Sequence, residues 1–215
     1  MEAAFWHQKW EENRIGFHQA DVNPWLPVGW SAGRGDDPVL VPLCGKSSDM
    51  LWLSGQGHPV DGFELSELAI EQFFSENQLT ETVTEVGPYR CHQHESLRIH
   101  QGDFFAAPAL GREYRLAYDR AALIALPTAM RRQYAELMSR LMAPEGQILL
   151  VTLEYQPEQQ KQPPFSVGEM EVRHLFERDF SVEVLGRAAE LDHPRVQSGQ
   201  LSYFDEVAYR LTRRA

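Results

Sequence analysis

Short apolar runs that alternate with helix-length amphipathic segments constrain this chain more than any other feature. Val39-Leu40-Val41-Pro42-Leu43 is apolar throughout, the pattern of a strand buried on both faces. The turn Cys44-Gly45-Lys46-Ser47 follows. A segment with Met50, Leu51 and Leu53 on one side then stops near Gly55 and Gly57, where glycine suits a helix C-cap. Val60 to Glu64 reads as a second strand. Ser66 is placed to cap a helix running to about Asn77 that buries Leu68, Ile70, Phe73 and Phe74. From Thr80 to His94 the pattern predicts a small excursion or hairpin, with a turn at Gly87-Pro88. Leu97 to His100 and Tyr114 to Asp119 are the third and fourth strands. Pro127 opens a helix carrying Met130, Tyr134, Leu137, Met138 and Leu141, which Pro144 and Gly146 are expected to end. Gln147 to Glu154 is the fifth strand, Glu169 to Arg178 a helix, and Phe180 to Leu185 and Val207 to Leu211 the last two strands.

Strands and helices in turn predict an α/β fold with seven strands. The chain has 215 residues, of which 43% are hydrophobic; that suits one domain over 1–215 with one well-packed core, residues 1–30 forming a leading segment ahead of the first strand. The formal charge of −11 argues against nucleic acid and anionic membranes as partners and favours a cationic small molecule. The N-terminus has no basic start or apolar core of a signal peptide. Cys44 and Cys91 form no CxxC pair, so both are expected to be reduced thiols in a cytoplasmic protein.

In open sheets of this kind ligands bind beyond the carboxyl ends of the strands, which directs attention to four places. After the first strand, Gly45-Lys46-Ser47 resembles the end of a phosphate-binding loop, but that motif needs another glycine at position 40, which is Leu. The dinucleotide fingerprint GxGxxG is also missing. What remains is a tight turn where a ligand can approach the backbone. After the second strand, Glu64 stands where nucleoside-binding folds put an acid for ribose hydroxyls, although a helix-capping role before Ser66 fits equally. After the third, Asp103 can accept from an exocyclic amine while Phe104 packs on a purine ring, or the phenylalanines are plain core. After the fourth, Arg120 can orient a carboxylate or a substrate anion, the structural alternative being an ion pair with Asp119 or Glu154. Trp6 and Trp10 share one helical face; they form either a lid over the cleft or, as the pattern alone favours, a docking stripe. His92 and His94 have no third metal ligand at a usable spacing and read as a solvated loop. No GxSxG elbow supports a hydrolase.

Taken together, several strings resemble the landmarks of thiopurine S-methyltransferases. They are Phe5-Trp6-His7-Gln8-Lys9-Trp10, Ile15-Gly16-Phe17-His18-Gln19, Pro42-Leu43-Cys44-Gly45-Lys46-Ser47, Glu64-Leu65-Ser66, Gly102-Asp103-Phe104-Phe105, Tyr118-Asp119-Arg120-Ala121-Ala122-Leu123, Leu153-Glu154-Tyr155 and Pro163-Pro164-Phe165-Ser166-Val167. The resemblance runs from about Phe5 to Leu211. It implies a class I, Rossmann-like methyltransferase fold, a mostly parallel sheet with helices on both faces, and S-adenosyl-L-methionine as donor. It implies that Trp10, Leu43, Gly45, Glu64, Asp103, Phe104 and Arg120 bind that donor. Trp6, Phe17, Arg120 and Arg195 would then face the acceptor, the leading segment would close as a lid, and no metal would take part. Thiols, and selenium or tellurium compounds as in tellurite resistance, are the acceptors it implies for a monomeric enzyme. Two other readings stand beside it. A nicotinamide-dependent oxidoreductase shares the acid at Glu64 but lacks its glycine fingerprint here. A non-enzymatic nucleoside-binding module uses the same fold.

Overall fold

A computed structural model describes residues 3–16, 18–30 and 35–215. Its centre is one sheet of nine strands: β1 Val39–Val41, β2 Val60–Glu64, β3 Thr82–Val86, β4 Tyr89–His94, β5 Leu97–Gln101, β6 Tyr114–Arg120, β7 Met142–Glu154, β8 Phe180–Ala189 and β9 Asp205–Arg213. They lie in the order β3-β4-β5-β2-β1-β6-β7-β9-β8. β5, β2, β1, β6 and β7 run parallel, and β9 is antiparallel to both β7 and β8. These seven are the expected strands. The Thr80 to His94 segment adds two more, because its hairpin pairs with β5 through β4 rather than standing apart.

The helices are α1 Ala3–Glu11, α2 Trp25–Gly29, α3 Asp49–Gly55, α4 Glu67–Glu76, α5 Thr128–Leu141, α6 Glu169–Phe176 and α7 Pro194–Gln197. Period-2 alternation sorts the central strands between two cores. Leu40, Phe63, Ile148 and Leu150 point toward α5 and α6, where Tyr134, Leu137, Met138, Val172 and Phe176 meet them. Val39, Val41, Leu149 and Val151 point the other way, toward Leu26 of α2, Met50 and Leu53 of α3, and Ile70 and Phe73 of α4. Helices therefore cover both faces of a sheet whose five central strands are parallel and whose flanks are antiparallel.

Ser66 caps α4 as its sequence indicates, its hydroxyl accepting from Ala69 N at 3.3 Å. The end of α5 differs from expectation. α5 passes into β7 at Leu141–Met142 with no loop between them, so Pro144 and Gly146 lie inside the first stretch of the strand. Gly146 is needed there for closeness: a Cβ would stand 2.8 Å from Ala143 O and 3.1 Å from Tyr114 O, where the β6–β7 register shifts. His92 and His94 are likewise on a strand and not in a solvated loop. His92 is 3% exposed and lies 2.6 Å from Glu81 Oε2 and 3.2 Å from Gln101 Oε1. Cys44 and Cys91 are buried free thiols. Among the described residues, no helix is long and apolar enough to cross a membrane.

Candidate functional site

The chain leaves β1 toward β2 and β5 on one side, then returns to β6 on the other. That reversal opens a crevice at the carboxyl ends of β1 and β6, the switch point where such sheets take ligands. Two cavities open there. The smaller, of about 280 Å³, is lined by Trp6, Trp10, Leu43, Gly45, Phe63, Glu64, Leu65, Gly102, Asp103, Phe104, Phe105, Ala121, Ala125, Leu126, Met130, Pro163 and Pro164. Among the described residues, only Glu64 and Asp103 bring charge to its lining. The larger, of about 800 Å³, is lined by four basic residues, Lys9, Arg14, Arg120 and Arg195, three acidic ones, Asp21, Glu190 and Glu206, and by His193 and Phe204 among others. Trp6, Ala121, Pro163 and Pro164 belong to both.

The loop after β1 brings backbone to the smaller cavity. Leu43 and Gly45 both hold left-handed φ, at 47° and 52°. Cys44 N is anchored to Phe63 O at 2.9 Å. A side chain at Gly45 would be strained by that φ and would meet the Trp10 ring at 3.2 Å. Trp10 itself is only 4% exposed. The tryptophan stripe of α1 thus docks and roofs the cavity at once.

Glu64 is buried, and its carboxylate accepts from three backbone amides. Gly45 N reaches Oε2 at 2.8 Å, while Leu65 N and Ser66 N reach Oε1 at 2.8 and 2.7 Å. The capping role and the cavity-facing role therefore coexist. Burial pushes its pKa up, and the three amides push it back down. A carboxylate offers about four lone-pair positions, so one remains for a hydroxyl donor. Asp103 accepts from Phe105 N at 3.0 Å through Oδ1 and lines the cavity beside Phe104. Phe104 is also core, packed edge-on to Phe63 with ring centroids 5.3 Å apart. A ribose and a flat aromatic base fit these two acceptors and the aromatic wall beside them. Lys46 does not take part: its ammonium pairs with Glu76 at 2.7 Å.

Arg120 lines the larger chamber and not the smaller cavity. Its ion-pair partner is neither Asp119 nor Glu154. Asp119 is fully engaged behind the strand end, accepting from Ala122 N at 3.1 Å, Leu123 N at 3.2 Å and the Tyr134 hydroxyl at 2.7 Å. Burial pushes its pKa up to about 6. Glu154 pairs with Arg187. Arg120 instead lies 3.7 Å from Asp49 Oδ2 and donates to Gln19 Oε1. Arg195 lines the same chamber and donates to Gln160. His193 stacks on Phe204 with centroids 4.1 Å apart, and Phe204 stacks on Tyr155 at 6.0 Å. Burial and then the Arg195 charge lower the His193 pKa. Phe17 lies outside the described residues.

The cavity residues at positions 43, 45, 64, 103 and 104 come together as the strand-end rule requires. Asp49, Asn23, His193, Phe204 and Glu206 were not foreseen. The first two are a strand-to-helix acid and a loop amide with no local motif, and the others lie near the far end of the chain. Ala121, φ 80°, is a strained backbone position shared by both cavities. Among the described residues no group of three or more His, Cys, Asp or Glu is set for a metal ion.

Solved structures share this architecture. An N-methyltransferase NodS from Bradyrhizobium japonicum, in complex with S-adenosyl-L-homocysteine, aligns with a TM-score of 0.65 at 12% identity, over 96% of this chain and 97% of that one. A 1,6-didemethyltoxoflavin-N1-methyltransferase from Burkholderia thailandensis aligns with a TM-score of 0.64 at 14% identity, over 99% and 87%. Strand order and neighbours together define a class I S-adenosylmethionine-dependent methyltransferase fold. The thiopurine S-methyltransferase family model matches residues 1–214, and the chain belongs to that family. Its relatives include a thiopurine S-methyltransferase of Shewanella baltica strain OS155, 47% identical over the full length of both chains. Another, from Vibrio campbellii, is 46% identical over 95% of each. The chain is a methyltransferase that uses S-adenosyl-L-methionine. The oxidoreductase and binding-module readings give way to this membership.

Proposed function

We propose that this enzyme methylates the sulfur of heteroaromatic and aromatic thiols, thiopurines among them, and extends to reduced selenium and tellurium anions. The observation that carries the reading is the meeting of two unlike cavities at Trp6, Ala121, Pro163 and Pro164. One is apolar with two carboxylates and suits the donor. The other is lined by four cations against three carboxylates, an excess of positive charge in a chain of net charge −11, and suits an anionic acceptor.

When bound, the donor supplies a methyl group on a positively charged sulfur. Glu64 and Asp103 are placed to accept from its ribose and its base, while Trp10, Leu43, Gly45 and Phe104 wall it in. Arg120 and Arg195 hold the acceptor in its ionised form, so its proton has already left to solvent. The acceptor sulfur attacks in line: a new carbon–sulfur bond forms as the old one breaks, and the electron pair stays with the donor sulfur. Alignment and the exclusion of water supply the acceleration, and no general base is required. The segment ahead of β1 acts as the lid, in a cytoplasmic monomer.

Methyl transfer to a mercaptopurine, a thiophenol and hydroselenide, each followed by mass spectrometry of the product, tests this directly. Product from the two thiols supports the reading, and product from hydroselenide supports its extension. Tight donor binding with no methylated thiol would overturn it.

A further inference from the structure

Asp49 opens α3 and is entirely buried, and its role is not explained by the donor cavity. A buried carboxylate is costly unless its oxygens are satisfied. Here Oδ1 accepts from Asn23 N at 2.8 Å and Oδ2 from the Tyr118 hydroxyl at 2.9 Å. Those two donors come from the leading segment and from β6. The same Oδ2 faces Arg120 Nε at 3.7 Å. From the solvent side, Gln19 Oε1 accepts from Arg120 Nη2 and also from Asn23 Nδ2, the latter at 3.4 Å. Asn23 Nδ2 in turn lies 3.3 Å from Glu206 Oε2 on the chamber wall. Ser48 adds a tie from its hydroxyl to Ala20 O at 3.2 Å.

A guanidinium is planar, with its donors in fixed directions. Gln19 accepts from Nη2, and the Asp49 carboxylate attracts the guanidinium from behind Nε at ion-pair distance, 3.7 Å, so its orientation is biased from two sides. We infer that Asp49 and Gln19 are positioning residues that form a clamp on Arg120, one from the buried rear and one from the leading segment, and so fix that guanidinium over the acceptor chamber. Because Gln19 belongs to the leading segment, the clamp is complete only when that segment lies down against the strand ends. The inference rests on the larger chamber being the acceptor site.

A double-mutant cycle separates the clamp from a merely structural role. Asp49→Asn and Gln19→Ala are each made in the wild type and in Arg120→Ala, and kcat and KM are measured with a mercaptopurine while donor Kd is followed by calorimetry. In the wild-type background Asp49→Asn is expected to lower kcat about tenfold and Gln19→Ala about threefold. Both losses should shrink below about twofold once Arg120 is gone, with donor Kd changed by less than about twofold throughout. Equal losses in both backgrounds would overturn the clamp while leaving the chamber assignment intact. No acceptor effect of Arg120→Ala alone would instead overturn the assignment, and the clamp with it. If Asp49→Asn does not fold, Gln19→Ala, on the exposed segment, decides the matter alone.

Discussion

The two cavities are neighbours built on opposite plans. The smaller is made of strand-end backbone and aromatic walls, with one carboxylate tied by three amides. Each element of it is a few residues of contiguous chain. The larger is made of charged side chains brought from distant parts of the sequence, held by polar neighbours such as Gln19 for Arg120, Gln160 for Arg195 and Asn23 for Glu206. The first plan gives a wall of preorganised backbone, and the second leaves room and charge. On the proposed reading, one donor and a class of acceptors divide between them.

The comparison breaks most readily at Glu64. Glu64→Ala strands three amides and removes the hydroxyl acceptor, so donor affinity should fall about 100-fold, equivalent to about 2.7 kcal/mol. Calorimetry with S-adenosylhomocysteine reads this, and an unchanged Kd would mean that the smaller cavity is not the donor site.

A charge outside both cavities sets the baseline. Asp61 is buried on β2 among Arg98 at 2.7 Å, Arg112 at 2.9 Å, Tyr114 at 3.1 Å and His100 at 3.4 Å. Burial alone would raise its pKa, but the His100 bond and the two arginine charges outweigh it and hold the carboxyl at about 2. A folded pKa below the unfolded value contributes stability above the unfolded value, near 4, and loses it as pH falls through about 2. Asp61→Asn should therefore cost on the order of 2 kcal/mol at pH 7, with the gap to wild type closing toward pH 2. Chemical denaturation across that range checks it. Donor and acceptor constants of the folded variant should not move.

The smallest effect is expected in the larger chamber. Arg195→Ala removes one of several cations, so KM for an anionic acceptor should rise about fivefold, with donor Kd unchanged. Steady-state assays at saturating donor read the change, and a matching loss of donor affinity would erase the distinction between the cavities.

The same division governs how much the sequence discloses. Strand ends are local: an apolar run, a turn glycine and an acid such as Glu64 or Asp103 follow from a dozen residues and the switch-point rule. The helix caps at Ser66 and the burial of α5 follow in the same way. The chamber is not local. Asn23 meets Glu206 across 183 positions and Gln19 meets Arg120 across 101, and no periodicity announces either pair. Asp119 and Glu154, both strand-end acids, are the structural partners the sequence offers Arg120 beside a ligand, but Asp119 faces two amides and a tyrosine hydroxyl instead. Likewise His92 looked like loop because nothing in its segment says that β4 pairs with β5.

That pairing bears on time as well as shape. Every residue of β5 has a partner in β2 on one side and in β4 on the other, so the strand that delivers Asp103 is interior. Fraying begins at open edges, and the hairpin moves the edge outward to β3, whose residues are almost all exposed. Losing pairs there releases nothing the ligand touches. The acid lining the smaller cavity thus follows a strand paired on both sides, two places in from the edge where fraying begins.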